Sequence, residues 1–443
     1  MKNNPLAKQF SSSTIIKFAL PNIIMMVFLS LYTIIDGMFI SRFVGELALS
    51  AINMFYPITS FQLALGVMLG TGGSAIIALK MGKGNIQEAK EDFTSITLVA
   101  IVIGLLFTII CIPFLNTILN LLGTSSAQMS YCKIYAKTLL YFSPMMFLQV
   151  LFQMFFVTAG KPNLGLAMNA IGGVANMILD YLFMGPFKMG VAGAAIATGI
   201  GYCIPAIAGL IYFIFNRKGT LYFVKFTFRP QVLLRTCANG SSEMVSNVAT
   251  SVTTFLFNII FMKFWAENGV ATIAILSYLQ FVLNALFMGF AMGISPIVSY
   301  KYGAEDTAQL KKIFRFAIGF VFLCSLGIYA ISKSTIAFSI SIFTDIGSPV
   351  YNLAITGFHI YALQFLFAGF SIFSSALFTA LNNGIVSAII SFSRTFIFLV
   401  GSLLILPAVW GEIGVWYAAP IAELLGIIVS ITFLVFCKKK YQY

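Results

Sequence analysis

Four carboxylates lie inside long apolar stretches of this sequence, where charged groups are rare. They are Asp36, Asp180, Glu243 and Glu423, out of thirteen acidic residues. A charged carboxylate at the centre of a bilayer costs at least ~2.5 kcal/mol on insertion scales, so such residues indicate function. The alternative interpretation is structural, with a protonated or hydrogen-bonded carboxylate that locks neighbouring helices together. Both interpretations stay open for all four residues.

Oxygen-bearing side chains accompany the first two carboxylates at helical spacing. Residues four apart share one face of a helix, and the first half holds three such pairs and a hydroxyl: Tyr32 and Asp36, Gln149 and Gln153, Asn176 and Asp180, and Thr198. Carboxylate, amide and hydroxyl oxygens suit a hard cation. Two neighbouring carboxylates can also hold a proton between them. We therefore expect a site for H⁺ or Na⁺, and for no other metal, around Asp36 and Asp180.

The second half of the sequence is polar in a different way. Gln280 and Asn284 repeat the four-residue spacing within an apolar stretch. Arg394 is a cation within another apolar stretch and needs an anionic partner, for which Glu243 and Glu423 are the candidates.

Three further residues have both a functional and a structural interpretation. Pro21 interrupts the backbone hydrogen bonding of the first helix, which produces either a static bend or a hinge. Met154 is one of 19 methionines, which mostly pack in cores but also line cavities that tolerate varied ligands. His359, the single histidine, titrates near neutral pH, although a lone histidine is more often a structural hydrogen-bonding group.

The composition places these residues in a membrane. The chain has 443 residues, 60% of them hydrophobic and 9% charged, with a mean hydropathy of +0.97, whereas soluble domains are roughly a quarter charged. The first apolar stretch is too long for a signal peptide and lacks a small-residue cleavage site, so we expect it to remain as an anchor. We predict an all-α integral membrane protein with twelve transmembrane helices, at 15–40, 50–80, 94–119, 131–158, 163–185, 190–215, 237–263, 270–299, 314–333, 351–380, 384–408 and 413–437.

Several classes of function are excluded by the same sequence. The formal net charge is +13, but the basic residues sit in short loops and do not form the continuous face that nucleic-acid binding requires. One histidine and six scattered cysteines leave no zinc site and no Ser-His-Asp site. The sequence has no P-loop and no HExxH or GxSxG motif, so we expect neither an enzyme nor a cofactor.

Charge and repetition give the domain organisation. Residues 216–236 form the longest polar connection, which we predict to be a cytoplasmic loop between an N-lobe (1–215, helices 1–6) and a C-lobe (237–443, helices 7–12). With both termini cytoplasmic, all but seven of the 26 Lys and Arg residues fall on the cytoplasmic side, in accord with the positive-inside rule. Segments of the two halves match at an offset near 221, such as TAGKPN (158–163) with TALNNG (379–384) and GVAGAA (190–195) with GEIGVW (411–416). Six helices per half make these parallel repeats, and transporters commonly bind substrate between such repeats.

These features together resemble the multidrug and toxic compound extrusion (MATE) family, and the DinF-like branch more than the NorM-like one. The likeness covers nearly the whole chain and rests on twelve helices in two halves and on several local motifs: Pro21, Tyr32 and Asp36, the TAGKPN turn, Asn176 and Asp180, and GAAIATG at 193–199. The resemblance implies two lobes around a central cavity. It also implies antiport, in which H⁺ or Na⁺ enters while an organic, often cationic, drug or toxin leaves across the cell membrane.

The resemblance also implies roles for individual residues. The cation-coupling site would comprise Asp36, Asn176, Asp180 and Thr198, with Tyr32 nearby and Gln153 where relatives often have Asn. The substrate cavity would include Gln149, Met154, Glu243, Gln280, Asn284 and Arg394, and Pro21 would be the hinge. The helix 10 aspartate that accompanies the helix 7 glutamate in one subgroup is absent, which favours the N-lobe as the ion site. We expect the chain to act as a monomer in the lipid bilayer.

Two other functions remain as alternatives. A lipid-linked oligosaccharide flippase of the same superfamily would favour a cavity rich in Arg and Lys to hold a pyrophosphate, whereas here only Arg394 lies clearly inside a span. An intramembrane enzyme would need a nucleophile beside a base, and no such pair is evident. The repeat without pore-like loops argues against an ion channel.

Overall fold

The computed structural model describes residues 4–443, and the described chain is helical with no β-strand. A 3₁₀ turn at Pro5–Ala7 precedes fifteen helices. In chain order these are α1 Ser12–Phe43, α2 Glu46–Gly82, α3 Ile86–Cys111, α4 Leu115–Leu121, α5 Ser126–Tyr141, α6 Ser143–Thr158, α7 Pro162–Met184, α8 Gly190–Phe215, α9 Pro230–Gly303, α10 Thr307–Ser341, α11 Pro349–Tyr361, α12 Phe365–Ala380, α13 Gly384–Phe392, α14 Leu399–Trp410 and α15 Glu412–Tyr441. Residues 1–3 of the predicted N-lobe lie outside the described residues.

Helix α9 is two antiparallel arms. Its 74 residues would measure about 110 Å if straight, several times a ~30 Å hydrocarbon core. Ala266 has a non-helical backbone (φ 52°, ψ −141°) and separates the arms. Gly240 in the first arm packs on the backbone of α2 at Met68, and Gly303 in the second arm packs on the same helix at Leu79. The arms therefore fold back on each other.

The twelve predicted spans are present within residues 4–443. Ten helical segments are long and apolar enough to cross a membrane, and α5 with α6 forms one more that bends by 57°. Since α9 supplies two arms, the described residues make twelve spans. Helices α11 and α12 join through a 3₁₀ turn at Ala362–Gln364, and α13 and α14 join through a π-helical segment at Ser393–Phe398.

Prolines account for the main local differences from the sequence prediction. The predicted span 94–119 divides into α3 and α4 because Pro113 cannot continue a helix. The predicted span 131–158 bends at Phe142, where Pro144 begins the next helix without a backbone donor.

The two lobes meet along four spans. We call α1–α8 the N-lobe and α9–α15 the C-lobe, and α1 and α2 of the N-lobe pack against the two arms of α9. We call the end where α2 and the second arm of α9 finish the basic end, because most Lys and Arg residues lie there. The C-terminus lies at this end too, since Tyr441 packs 5.4 Å from the ring centre of Tyr302.

Residues 4–10, which we call the N-terminal segment, connect the lobes at the basic end. Asn4 Nδ2 lies 3.8 Å from Met81 Sδ in the N-lobe. On the C-lobe side, Lys301 Nζ donates to the Ala7 carbonyl at 3.3 Å, and the Phe10 N–H donates to the Gln309 side chain at 2.9 Å. The segment is therefore anchored to both lobes.

The connection between the lobes is fixed to the N-lobe. Arg229 pairs with Glu91 and lies 3.7 Å from Glu88 of α3. Lys90 Nζ lies 3.9 Å from the ring centre of Tyr222 and lowers the pKa of that phenol by hydrogen bonding and charge. The connection therefore stays with the N-lobe, and relative motion of the lobes has to begin where α9 starts.

Candidate functional site

Asp36 and Asp180 face each other inside the N-lobe. Asp36 lies seven residues before the end of α1 and Asp180 four before the end of α7, so both are in the half of the lobe away from the basic end. The two carboxylates lie close enough for their charges to interact, and Asp180 is fully buried. Asp36 Oδ1 and both Asp180 carboxylate oxygens are buried without a donor among the described residues. A proton or a cation between the two groups would satisfy those oxygens.

Other predicted site residues surround a small cavity beside this pair. The cavity has room for about one water molecule. Its polar lining comes from α1, α6, α7 and α8: Tyr32, Gln149, Asn169, Asn176, Thr198 and Tyr202. Asn176 lies one turn before Asp180, and neither polar atom of its side chain has a hydrogen-bond partner in the described chain. Thr198 Oγ1 donates to the Ala194 carbonyl at 3.0 Å, which leaves its lone pairs directed elsewhere.

Close helix packing keeps this cavity small. A Cβ atom added to Gly172 of α7 would lie 2.7 Å from the Gly201 carbonyl of α8. The two helices therefore touch backbone to backbone at this point, and only glycine permits that approach.

Two tyrosines belong to the site although the sequence analysis did not select them. Tyr135 of α5 lies close enough to Asp36 and Asp180 to feel their charge, and Tyr202 of α8 lies close enough to Asp36. Tyr135 has no oxygen-bearing acidic, amide or threonine residue four positions away, whereas Tyr202 follows Thr198 by four residues, a spacing that could have indicated it. Buried phenols can donate hydrogen bonds to a carboxylate or accept them from a bound water.

Gln153 and Met154 point away from the cavity. Gln153 Nε2 lies 3.7 Å from Met26 Sδ of α1, so this amide links α6 to α1. Met154 is 4% exposed and packs against Gly70 of α2, inside the N-lobe core. Gln149, which the resemblance assigns to the substrate cavity, lines the small N-lobe cavity and donates to Asn169 at 3.3 Å.

Helix α1 continues without a break through Pro21, which is buried. The second arm of α9 packs against α1 on both sides of this proline, with Gly289 on the backbone of Ile23 and Gly293 on Ala19. A change of bend at Pro21 would therefore move the contact between the lobes.

The C-lobe contains a buried ion pair. Arg394 Nε lies 2.9 and 2.8 Å from the two carboxylate oxygens of Glu423, and Nη2 lies 2.6 Å from Oε1. Of the two candidate partners, Glu423 is the one that binds Arg394, and the charge of Arg394 also acts on Glu243. Gln280 accepts a hydrogen bond from Tyr361.

Asn284 and His359, the two other C-lobe residues selected from the sequence, lie in different environments. Asn284 Oδ1 is buried without a donor in the described chain. His359 lies in α11, two residues before Tyr361, and its Nδ1 is 3.2 Å from Lys333 Nζ. His359 is exposed and so lies apart from the largely buried Arg394–Glu423 pair.

The N-lobe arrangement suits reversible binding of a small cation. The described residues contain no group of three or more His, Cys, Asp and Glu side chains that would hold a transition metal. A pair of neighbouring carboxylates, with amide and phenol groups around them, instead suits a proton or Na⁺.

A family model and two relatives match most of this chain. A family model described as MatE matches residues 21–182 and 244–404. The chain is 21% identical over 416 residues to the multidrug export protein MepA of Staphylococcus aureus strain MRSA252, covering 92% of this chain and 90% of that protein. It is 23% identical over 428 residues to MepA of Staphylococcus haemolyticus, covering 94% and 92%.

The fold also matches a solved structure. The matched structure is described as the outward-facing conformation of a multidrug resistance MATE family transporter of the MOP superfamily. The match has a TM-score of 0.93 and 21% sequence identity, and it covers 100% of this chain and 99% of that one. The two segments matched by the family model begin 223 residues apart and end 222 residues apart, close to the offset of the repeat predicted from the sequence.

Proposed function

The chain belongs to the MATE family, and on that basis we propose that it is a secondary active multidrug efflux transporter that exports organic, often cationic, compounds in exchange for H⁺ or Na⁺. It is a multi-pass membrane protein of the cell membrane, and its relatives are transporters and not enzymes. We place the basic end in the cytoplasm, in accord with the positive-inside rule.

One observation supports the coupling site most directly. Asp36 and Asp180 lie close together, and their buried oxygens have no donor among the described residues. Two unpaired charges so close repel, and a shared proton or Na⁺ removes that repulsion. The ion would be held by Asp36 and Asp180, with Asn176, Thr198 and Tyr32 beside them; Gln153 lies a turn beyond the cavity and would act through α1.

Exchange requires that ion binding and drug binding oppose each other. Neutralising Asp36 and Asp180 would change the hydrogen bonding at one end of α1, and a bend of α1 at Pro21 would carry that change to the contact with α9. The drug would occupy the space between the lobes, with Glu243, Gln280 and Asn284 on the C-lobe side. The intramembrane Arg394 is bound to Glu423, which leaves the alternative function of a pyrophosphate-lipid flippase without its cation.

Transport in reconstituted vesicles tests this proposal. Efflux of a fluorescent organic cation is measured under separately imposed pH and Na⁺ gradients, for the wild type and the Asp36→Asn and Asp180→Asn variants. We expect one gradient to drive efflux by the wild type and neither to drive efflux by the variants, although both variants insert and fold. Asp345→Asn is the matched control, because Asp345 is exposed and lies in a connection between helices. Full transport by either site variant would falsify the site.

A further inference from the structure

The two lobes differ at equivalent positions of the repeat. The matched segments place each C-lobe position about 222 residues after its N-lobe counterpart, and the GVAGAA and GEIGVW motifs extend this relation into α15. Offsets of 221 to 222 place Arg394 opposite Gly172 or Gly173, and the offset of 221 between these two motifs places Glu423 opposite Tyr202. Gly172, Gly173 and Tyr202 all line the small N-lobe cavity.

The C-lobe fills this position with charge where the N-lobe leaves it open. The N-lobe has a glycine opposite Arg394, and Gly172 there brings α7 into backbone contact with α8. In the C-lobe, Arg394 instead forms a bidentate ion pair with Glu423, between the π-helical segment Ser393–Phe398 and α15. The side chains of this pair are 16% and 10% exposed. Arg394 lies on the π-helical segment, an irregularity that proteins often place at functional positions.

The charges around the two sites are also related. In the N-lobe, two carboxylates face each other with no cation. In the C-lobe, Glu423 binds Arg394, and Glu243 of α9 lies within the field of the same guanidinium. Tyr361 of α11 also lies near Glu423, and α12 places the uncharged Ser371 beside Arg394 and Gly426. Arg394 thus pairs with Glu423 and acts on Glu243, whereas the charged neighbours of Asp36 and Asp180 include no Lys or Arg among the described residues.

We propose that the Arg394 guanidinium is a built-in cation that replaces an exchanged ion in the C-lobe, so that ions couple to transport through the N-lobe alone. This inference rests on the proposed antiport. A guanidinium stays charged at every accessible pH, so a carboxylate bound to it neither takes up nor releases a coupling ion during the cycle. Removing Arg394 would leave Glu423 as an unpaired carboxylate that is only 10% exposed, and that carboxylate would bind H⁺ or Na⁺.

The thermal stability of the full-length protein in detergent tests the proposal without transport. The midpoint of unfolding is measured from mildly acidic to mildly basic pH, with and without Na⁺, for the wild type, Arg394→Met, and Arg394→Met combined with Glu423→Gln. We expect Arg394→Met to gain an ion dependence over the wild type, of at most about tenfold in the folding equilibrium per pH unit for one extra proton. The double variant should lose that gain, because it has no unpaired Glu423.

A second comparison separates this proposal from the proposed function. The same series is repeated in an Asp36→Asn background, which removes the ion response of the N-lobe. The ion dependence gained through Arg394→Met can then be measured whether or not Asp36 couples ions to transport. If Arg394→Met is too unstable to purify, its rescue by Glu423→Gln is the readout.

Two results would overturn the inference. The first is an Arg394→Met variant with the wild-type ion dependence, and the second is failure of Glu423→Gln to rescue an unstable Arg394→Met variant.

Discussion

Replacing Asp36 with Asn should stabilise the protein while it stops transport. In the ion-free protein, Asp36 and Asp180 are two neighbouring carboxylates, and their buried oxygens have no donor within residues 4–443. An Asn side chain at position 36 removes one of the two charges and supplies an N–H donor to Asp180. A carboxylate with a purely structural role would give the opposite result, because its removal would leave a partner unsatisfied.

The magnitude follows from two contributions. Two unit charges about 4 Å apart repel by about 4 kcal/mol at an effective dielectric constant near 20, and satisfying a buried unpaired group yields about 1–3 kcal/mol. The wild type already relieves part of the repulsion by binding an ion, so we expect a net gain of about 1–3 kcal/mol, which corresponds to a rise of a few degrees in the midpoint of unfolding.

Thermal unfolding followed by a thiol-reactive dye provides the assay, since the six cysteines are buried or partly buried. Wild type, Asp36→Asn and the control Asp345→Asn are compared with and without Na⁺ at several pH values. The wild type should be stabilised by the coupling ion, by RT ln(1 + [ion]/Kd), and Asp36→Asn should have lost most of that response. An Asp36→Asn variant that is less stable than the wild type and still responds to the ion would refute this reasoning.

Three further outcomes are expected. Drug affinity of the wild type should fall as the pH drops, by at most about tenfold per pH unit for one proton, because exchange makes drug and proton binding mutually unfavourable. Drug binding is measured in detergent at a fixed drug charge. An affinity that does not change with pH, in both Na⁺-free and Na⁺-containing buffer, contradicts H⁺ exchange. Gly172→Ala should cost about 1–3 kcal/mol in unfolding free energy, because its Cβ would lie 2.7 Å from a carbonyl oxygen of α8, whereas Gly319→Ala, with open space around it, should be neutral or stabilising. Lys301→Met should cost about 2 kcal/mol, less than the ~3–5 kcal/mol of a fully buried pair, because Asp306 is 26% exposed; an unchanged unfolding midpoint would show that Lys301 does not hold the N-terminal segment.

The spans could be predicted from the sequence because each must satisfy its own backbone hydrogen bonds over a fixed apolar length. That rule gives the right number of crossings, but it is blind to backbone geometry within one apolar run. The 57° bend between α5 and α6 depends on how Pro144 packs, and the π-helical segment around Arg394 depends on a partner 29 residues away.

The residues of the candidate ion site could also be predicted only in part. Asp36, Asn176 and Asp180 could be found because a carboxylate in an apolar helix is costly and because their spacing places companions on one face. Tyr135 could not be found, since a tyrosine in an apolar helix is unremarkable by type and only the packing of α5 brings it near the carboxylates. Tyr202 had one signal, its position four residues after Thr198. Methionine is a residue type that suits a flexible cavity, but Met154 packs in the core, in the space beside Gly70 of α2 where a side chain is missing.

The contacts of the N-terminal segment constrain the order in which the protein can be completed during synthesis. Ala7 and Phe10 bind Lys301 and Gln309, which follow them by 294 and 299 residues. At a synthesis rate of about 5–20 residues per second, these partners emerge roughly 15–60 s later. During that interval the N-lobe can assemble. Leu6, which is fully buried in the finished protein, is not yet covered on the C-lobe side. Docking of the N-terminal segment is thus a late step that can be completed only in a chain that has already inserted both arms of α9. A chain cut short before α10 would lack Gln309 and leave Leu6 and Phe10, buried in the finished protein, without part of their contacts.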